Sequence, residues 1–212
     1  MPLAFLALGD SYTIGEGVAP EDRWTHQFAA ALRAEGIDLA DPLTIATTGW
    51  TTDELDAAID TADPQGPFDF ASLLIGVNNQ YRGRGVDDYA REFDALLERT
   101  TGFTGERPER VLVLSIPDWG VTPFAAASGR DLAAIARELD AYNNAARDAC
   151  EARGVAFVDI TPASRALGAG PGMLAEDGLH PSAAMYAEWA RLALPVARRL
   201  LQAPAGTARD DA

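Results

Sequence analysis

Five short apolar runs punctuate the chain, at residues 4–8, 43–47, 71–75, 111–115 and 156–160. Several are apolar at nearly every position, the pattern of strands covered on both faces. Longer amphipathic segments alternate with them, at 24–35, 52–61, 86–99, 131–153 and 182–201. In the first of these, Trp24, Phe28 and Leu32 recur every four residues and so share one helical face. Thr51 and Glu54 have the spacing of a capping box at the start of the second. Gly36 and Gly154 stand where helices would stop, and Pro195 predicts a kink or a restart inside the last segment. A strand–helix unit repeated five times predicts an α/β domain over residues 1–202, with a parallel sheet covered by helices on both faces. Residues 203–212 are polar and rich in breakers, and predict a flexible C-terminal tail.

Composition narrows the classes of function. The 212 residues suit a single domain with a real core. All 17 basic side chains are arginine, and the formal net charge is −15. Such a surface repels phosphate backbones and anionic headgroups, so it predicts neither a nucleic-acid nor a membrane partner. No apolar stretch is long enough to span a bilayer, and the first residues lack the basic start and apolar length of a signal peptide. The expectation is a cytoplasmic protein. Cys150 is the single cysteine, which rules out an intrachain disulfide; it sits in a helical pattern and reads as a packing residue. His26 and His180 are the only histidines and lie far apart, a poor basis for a zinc site, so neither metal nor cofactor is expected. Gly15-Glu16-Gly17 is not a dinucleotide fingerprint, because Pro20 occupies the third glycine position. No Gly-x-Ser-x-Gly elbow is present.

In open parallel sheets, ligands bind beyond the carboxyl ends of the strands, so the residues after each apolar run carry the candidate chemistry. Gly9-Asp10-Ser11 follows the first run; Ser11 is a nucleophile at a sharp turn or a helix cap. Gly49 follows the second, just before a helix start, where its N–H is open to an anion or the glycine serves loop geometry alone. Gly76-Val77-Asn78-Asn79 follows the third; the amides suit an oxyanion and equally suit a turn. Tyr81 and Arg82 either line a pocket or cap their loop. Trp119 and Phe124, after the fourth run, are pocket walls or buried packing. Asp177-Gly178-Leu179-His180 is the strongest local signal. An aspartate accepting from one imidazole nitrogen fixes the tautomer and leaves the other nitrogen as a base. His26, within the first helical pattern, reads as structural.

These four blocks, in this order, resemble those of the SGNH (GDSL-type) hydrolases, and the resemblance spans residues 4 to about 201. It implies a flavodoxin-like three-layer α/β/α sandwich with a five-stranded parallel sheet. It implies a serine esterase acting on small-molecule esters, thioesters or O-acetylated sugars through an acyl-serine, without a metal. Carried over residue by residue, Ser11 is the nucleophile, His180 the base and then acid, and Asp177 its orienter. The Ser11 N–H, the Gly49 N–H and the Asn78 amide form the oxyanion hole. Two departures stand out. Tyr12 replaces the leucine of the family's short name, and Asn79 replaces an aspartate frequent in the third block, which puts the anchoring of that loop in question. Asn79, Tyr81 and Trp119, in the loops 79–85 and 118–129, are the expected substrate contacts. With most of the chain committed to strands and helices there is little left for a lid, so an open site for short acyl chains is expected. An acyltransferase on the same scaffold is the nearest alternative, and a nonenzymatic binding module a more distant one, since it would be expected to have lost the serine, histidine or aspartate.

Overall fold

The computed structural model describes residues 1–168 and 170–202. The predicted tail at 203–212 lies outside the described residues. β1 (Phe5–Gly9) runs into a one-turn helix, α1 (Ser11–Ile14), and then α2 (Trp24–Ala34). β2 (Leu43–Ala46), α3 (Thr52–Ala62) and β3 (Phe70–Leu74) follow. The short α4 (Val77–Tyr81) precedes α5 (Val86–Phe103) and β4 (Val111–Leu114). Then come α6 (Pro123–Ala127), α7 (Leu132–Arg153), β5 (Ala156–Val158), α8 (Thr161–Leu167) and α9 (Ala183–Gln202). All five predicted strands form, and so do all five long helices. The sequence pattern did not reveal α1, α4, α6 and α8, because a helix of one or two turns is too short to show a period.

The strands form one five-stranded parallel sheet in the order β2-β1-β3-β4-β5. β1 and β3 are neighbours, and the chain leaves them toward opposite edges of the sheet. This is the topological switch point, and a crevice opens there beyond the strands' carboxyl ends. α2 packs against α9, while α3 and α7 flank α5. β1 and β3 are buried at every residue, as their largely apolar sequences, interrupted only by Ser72, require.

The core is continuous across the sheet. Phe5, Phe28 and Phe70 pack together, the last two stacked with ring centroids 5.9 Å apart. α2 buries Trp24, Phe28 and Leu32, as their spacing predicted. The Glu54 carboxylate accepts the Thr51 N–H at 2.9 Å, which is the predicted closure of the start of α3. Gly154 ends α7 in the left-handed conformation. Pro195 does not restart the last helix: α9 runs through it as one element, with Tyr186, Trp189 and Ala193 buried before the proline and Ala197 after it. Burial of this face outweighs the single backbone hydrogen bond that proline removes. Cys150 is buried, and desolvation pushes its thiol up to about 12, so it packs rather than reacts.

Candidate active site

Ser11 stands directly beyond β1 as the first residue of α1. The helix cap is Asp10, whose Oδ1 accepts the Tyr12 N–H at 3.0 Å, so the Ser11 hydroxyl is not committed to capping. Gly9 is required by close approach. A Cβ there would lie 2.4 Å from the Leu74 carbonyl oxygen on the neighbouring strand and 2.2 Å from Thr13 Oγ1. Asp10 is fully buried, and its Oδ2 has no hydrogen-bond partner among the described residues. Desolvation pushes this carboxyl up to about 7, against the opposing pull of the Tyr12, Asp10 and Gly76 N–H groups.

The second element lies beyond β2. Gly49 has φ of +89°, a conformation other residues adopt only with strain. The third lies beyond β3, where Asn78 occupies the first turn of α4 and donates through Nδ2 to the Trp50 carbonyl at 2.9 Å. The amide has two N–H groups, so a second is left to serve another acceptor. His180 comes from the loop before α9. Its Nδ1 is 2.5 Å from Asp177 Oδ2, and Asp177 Oδ1 accepts the Leu179 and His180 N–H groups, each at 2.9 Å. Burial alone would raise the Asp177 carboxyl. The hydrogen bonds from the His180 ring and from these two N–H groups outweigh it and hold the group below its ordinary value. With Nδ1 engaged, Nε2 is the imidazole nitrogen left for proton transfer. The Tyr12 ring meets the imidazole edge-on at 6.0 Å and the Trp189 ring at 5.8 Å, so the position that departs from leucine packs against the histidine.

Ser11, Gly49, Asn78 and His180 line one cavity of about 600 Å³ that opens to solvent. Its remaining walls are largely apolar: Tyr12, Val77, Tyr81, Trp119, Phe124 and Leu179, with Thr48 beside Gly49. Tyr81 and Trp119 therefore stand where the sequence placed them, as cavity walls. Asn79 does not. It is fully buried, accepts the Thr52 N–H at 3.1 Å through Oδ1 and donates to Thr52 Oγ1 at 2.6 Å through Nδ2. Consecutive residues on a helix point about 100° apart, so Asn78 faces the cavity while Asn79 faces α3. The anchoring left in question by the missing aspartate is supplied by Asn79 itself. Arg82 neither lines the cavity nor caps its own loop with its side chain, which reaches the Gly49 carbonyl and the Glu54 carboxylate. Tyr12, Thr48, Val77 and Leu179 were not singled out as wall residues by the sequence; each adjoins a motif residue, which is the signal that could have found them. His26 is not part of the cavity. Among the described residues no group of three or more His, Cys, Asp or Glu side chains is placed to hold a metal ion. No described helix is long and apolar enough to cross a membrane.

A serine, a histidine–aspartate pair and two candidate oxyanion donors at the switch point of a three-layer α/β/α domain are the parts of an ester hydrolase. The chain belongs to the GDSL-like lipase/acylhydrolase family, whose model matches residues 7–188, and it is a carboxylic ester hydrolase. No curated protein sequence matches it. Solved structures of the same fold include TesA, with a TM-score of 0.72 at 18% identity over 93% of this chain and 99% of that one. A lipase/acylhydrolase from Enterococcus faecalis superposes with a TM-score of 0.69 at 18% identity, covering 98% of this chain and 100% of that one. A variant of Axe2, an acetyl xylan esterase from Geobacillus stearothermophilus, gives 0.68 at 20% identity, over 92% and 94% of the two chains.

Proposed function

We propose that this hydrolase cleaves short-chain acyl esters through an acyl-enzyme on Ser11, with Asp177 and His180 as the proton-transfer pair. The observation that carries the reading is the 2.5 Å contact between His180 Nδ1 and Asp177, in a loop that sets the imidazole on the wall of the cavity lined by Ser11. His180 Nε2 takes the Ser11 proton as Oγ attacks the ester carbonyl. Negative charge develops on the carbonyl oxygen, where the Ser11 N–H, the Gly49 N–H and the second N–H of Asn78 receive it. The tetrahedral centre collapses, His180 returns the proton to the departing alcohol, and the acyl group stays on Ser11. Water then attacks with His180 as base. The carboxylic acid leaves, and the serine regains its proton.

The apolar wall supports the preference for short chains. Trp119 is buried, its Nε1–H donates to Gln80 Oε1 at 2.9 Å, and its ring meets Tyr81 edge-on at 5.4 Å. Asp118 holds the same loop, accepting the Gly120 N–H and the Arg165 Nε–H, each at 2.8 Å. A wall fixed in this way bounds the acyl group instead of swinging aside. Thioesters and O-acetylated sugars offer the same carbonyl chemistry and fall within the proposal.

The test is labelling with a fluorophosphonate, which needs both the nucleophile and its activation. Wild type is expected to lose activity on p-nitrophenyl acetate in step with modification at Ser11, and Ser11→Ala to stay folded without labelling or turnover. Modification elsewhere, or wild-type turnover by Ser11→Ala, overturns the assignment. A series of p-nitrophenyl esters from acetyl to decanoyl tests chain length, and a higher kcat/KM for decanoyl than for acetyl and butyryl overturns that part. A cytoplasmic setting belongs to the same proposal; recovery from the medium or the cell envelope on fractionation overturns it.

A further inference from the structure

We infer that Arg82 is a positioning residue for the oxyanion hole, locking the Gly49 turn to the helix that carries Asn78. The inference rests on the proposed roles of Gly49 and Asn78 as oxyanion donors.

Trp50 packs against the core, but no side-chain packing constrains Gly49 itself. A Cβ built on Gly49 would find no atom within 4 Å, so glycine is needed there for its φ of +89° and not for lack of space. Besides the turn's own bond from the Trp50 N–H to the Thr47 carbonyl at 3.3 Å, hydrogen bonds from α4, its C-cap and the first turn of α3 hold it, along consecutive positions. Arg82 Nη2 donates to the Gly49 carbonyl at 2.7 Å. Asn78 Nδ2 donates to the Trp50 carbonyl at 2.9 Å. The Thr51 N–H goes to Glu54 Oε2 at 2.9 Å, and Arg82 Nη1 holds the other oxygen of that carboxylate at 3.1 Å. The Thr52 N–H goes to Asn79 Oδ1 at 3.1 Å.

Asn78 and Arg82 are four residues apart, so they project from the same side of one helical turn and reach the same strip of backbone. Arg82 is the only one of these groups that bonds Gly49 itself. Its guanidinium presents several N–H groups in a fixed fork, which lets it hold the carbonyl and the Glu54 carboxylate together. The Gly49 carbonyl is thereby fixed relative to Asn78, and the Gly49 N–H, on the other side of the same α-carbon, is placed with the Asn78 amide before substrate arrives. Such preorganisation matters because stabilisation of the oxyanion depends steeply on donor position.

The experiment compares wild type, Arg82→Met, Arg82→Lys and Asn78→Ala on p-nitrophenyl acetate, with the rate of fluorophosphonate labelling as a second readout. Arg82→Met is expected to lower kcat about tenfold or more while leaving KM within about twofold, and to slow labelling in parallel. Its Tm should stay within about 4 °C of wild type, because a half-exposed ion pair contributes little to stability. Arg82→Lys should recover part of kcat, since an ammonium can reach the Gly49 carbonyl but lacks the fork that also grips Glu54. An unchanged kcat in Arg82→Met, or a loss expressed only in KM, overturns the inference. If Arg82→Met does not fold, Arg82→Lys decides alone: a lowered kcat at wild-type KM supports the inference and wild-type turnover overturns it. Asn78→Ala separates the two levels. Should it lose kcat while Arg82→Met does not, Arg82 is wrong and the donor assignment stands; should Asn78→Ala keep wild-type kcat, both fall.

Discussion

Asp177 grips His180 twice, through Oδ2 on the ring Nδ1 at 2.5 Å and through Oδ1 on the His180 backbone N–H at 2.9 Å. One carboxylate therefore sets both the course of the backbone and the tautomer of the imidazole. Asp177→Asn preserves the shape but removes the charge that stabilises an imidazolium and can present the wrong hydrogen-bonding group to Nδ1. We expect kcat on p-nitrophenyl acetate to fall by at least about a hundredfold with the fold intact. Steady-state kinetics alongside circular dichroism check it, and a loss below threefold would contradict the role.

The two histidines should behave oppositely. His180→Ala is expected to abolish nearly all turnover. His26 lies on α2, with its imidazole beside the Thr25 hydroxyl at 3.4 Å, and is not part of the cavity. His26→Ala should retain kcat/KM within about twofold, because substitutions away from the reacting groups leave transition-state binding untouched.

Asp10 carries a stability prediction with a definite sign. Its carboxyl is raised in the folded protein from 3.8 to about 7 by desolvation. Between those values the folded state holds a proton that the unfolded state has released, so this residue's contribution to stability falls as pH rises through the window. Asp10→Asn keeps an acceptor for the Tyr12 N–H and has no charge to bury. Its Tm plotted against pH from 4 to 8 should decline less than that of wild type. Parallel curves would sink the idea.

Gly9 tests why the first motif begins with glycine. A Cβ would sit 2.4 Å from the Leu74 carbonyl oxygen, which belongs to the neighbouring strand and cannot rotate away. Gly9→Ala is expected to destabilise the protein by about 2 kcal/mol or more. Urea unfolding measures it, and a change below 0.5 kcal/mol in magnitude, about the level of a neutral surface substitution, would show that the strand ends yield.

Leu179 lines both the active-site cavity and a narrow adjoining crevice, as do Tyr12 and Trp119. Leu179→Ala should join the two spaces and shift the chain-length optimum upward, at a stability cost of about 2 kcal/mol. The ratio of kcat/KM for octanoyl over acetyl esters reads this directly. An unchanged ratio would mean that the acyl group lies elsewhere.

Much of this protein was legible in the order of its residues. Strands buried on both faces need unbroken apolar runs, and amphipathic helices need a four-residue recurrence, so the alternation of strand and long helix was visible before any coordinates. Because a parallel α/β sheet presents its strand ends together, Ser11, Gly49, Asn78 and His180 could be picked out as candidates from their positions alone. What side chains do one residue further on was decided only in three dimensions. Whether Ser11 or Asp10 capped α1 depended on a turn too short to have a period. Asn79 was expected at the substrate and instead holds Thr52, because α4 is helical and turns it away from Asn78. Arg82 reaches back 33 residues in sequence to the Gly49 carbonyl. Local pattern encodes which face of an element is buried; which distant backbone atom a polar side chain meets is set by how the elements pack.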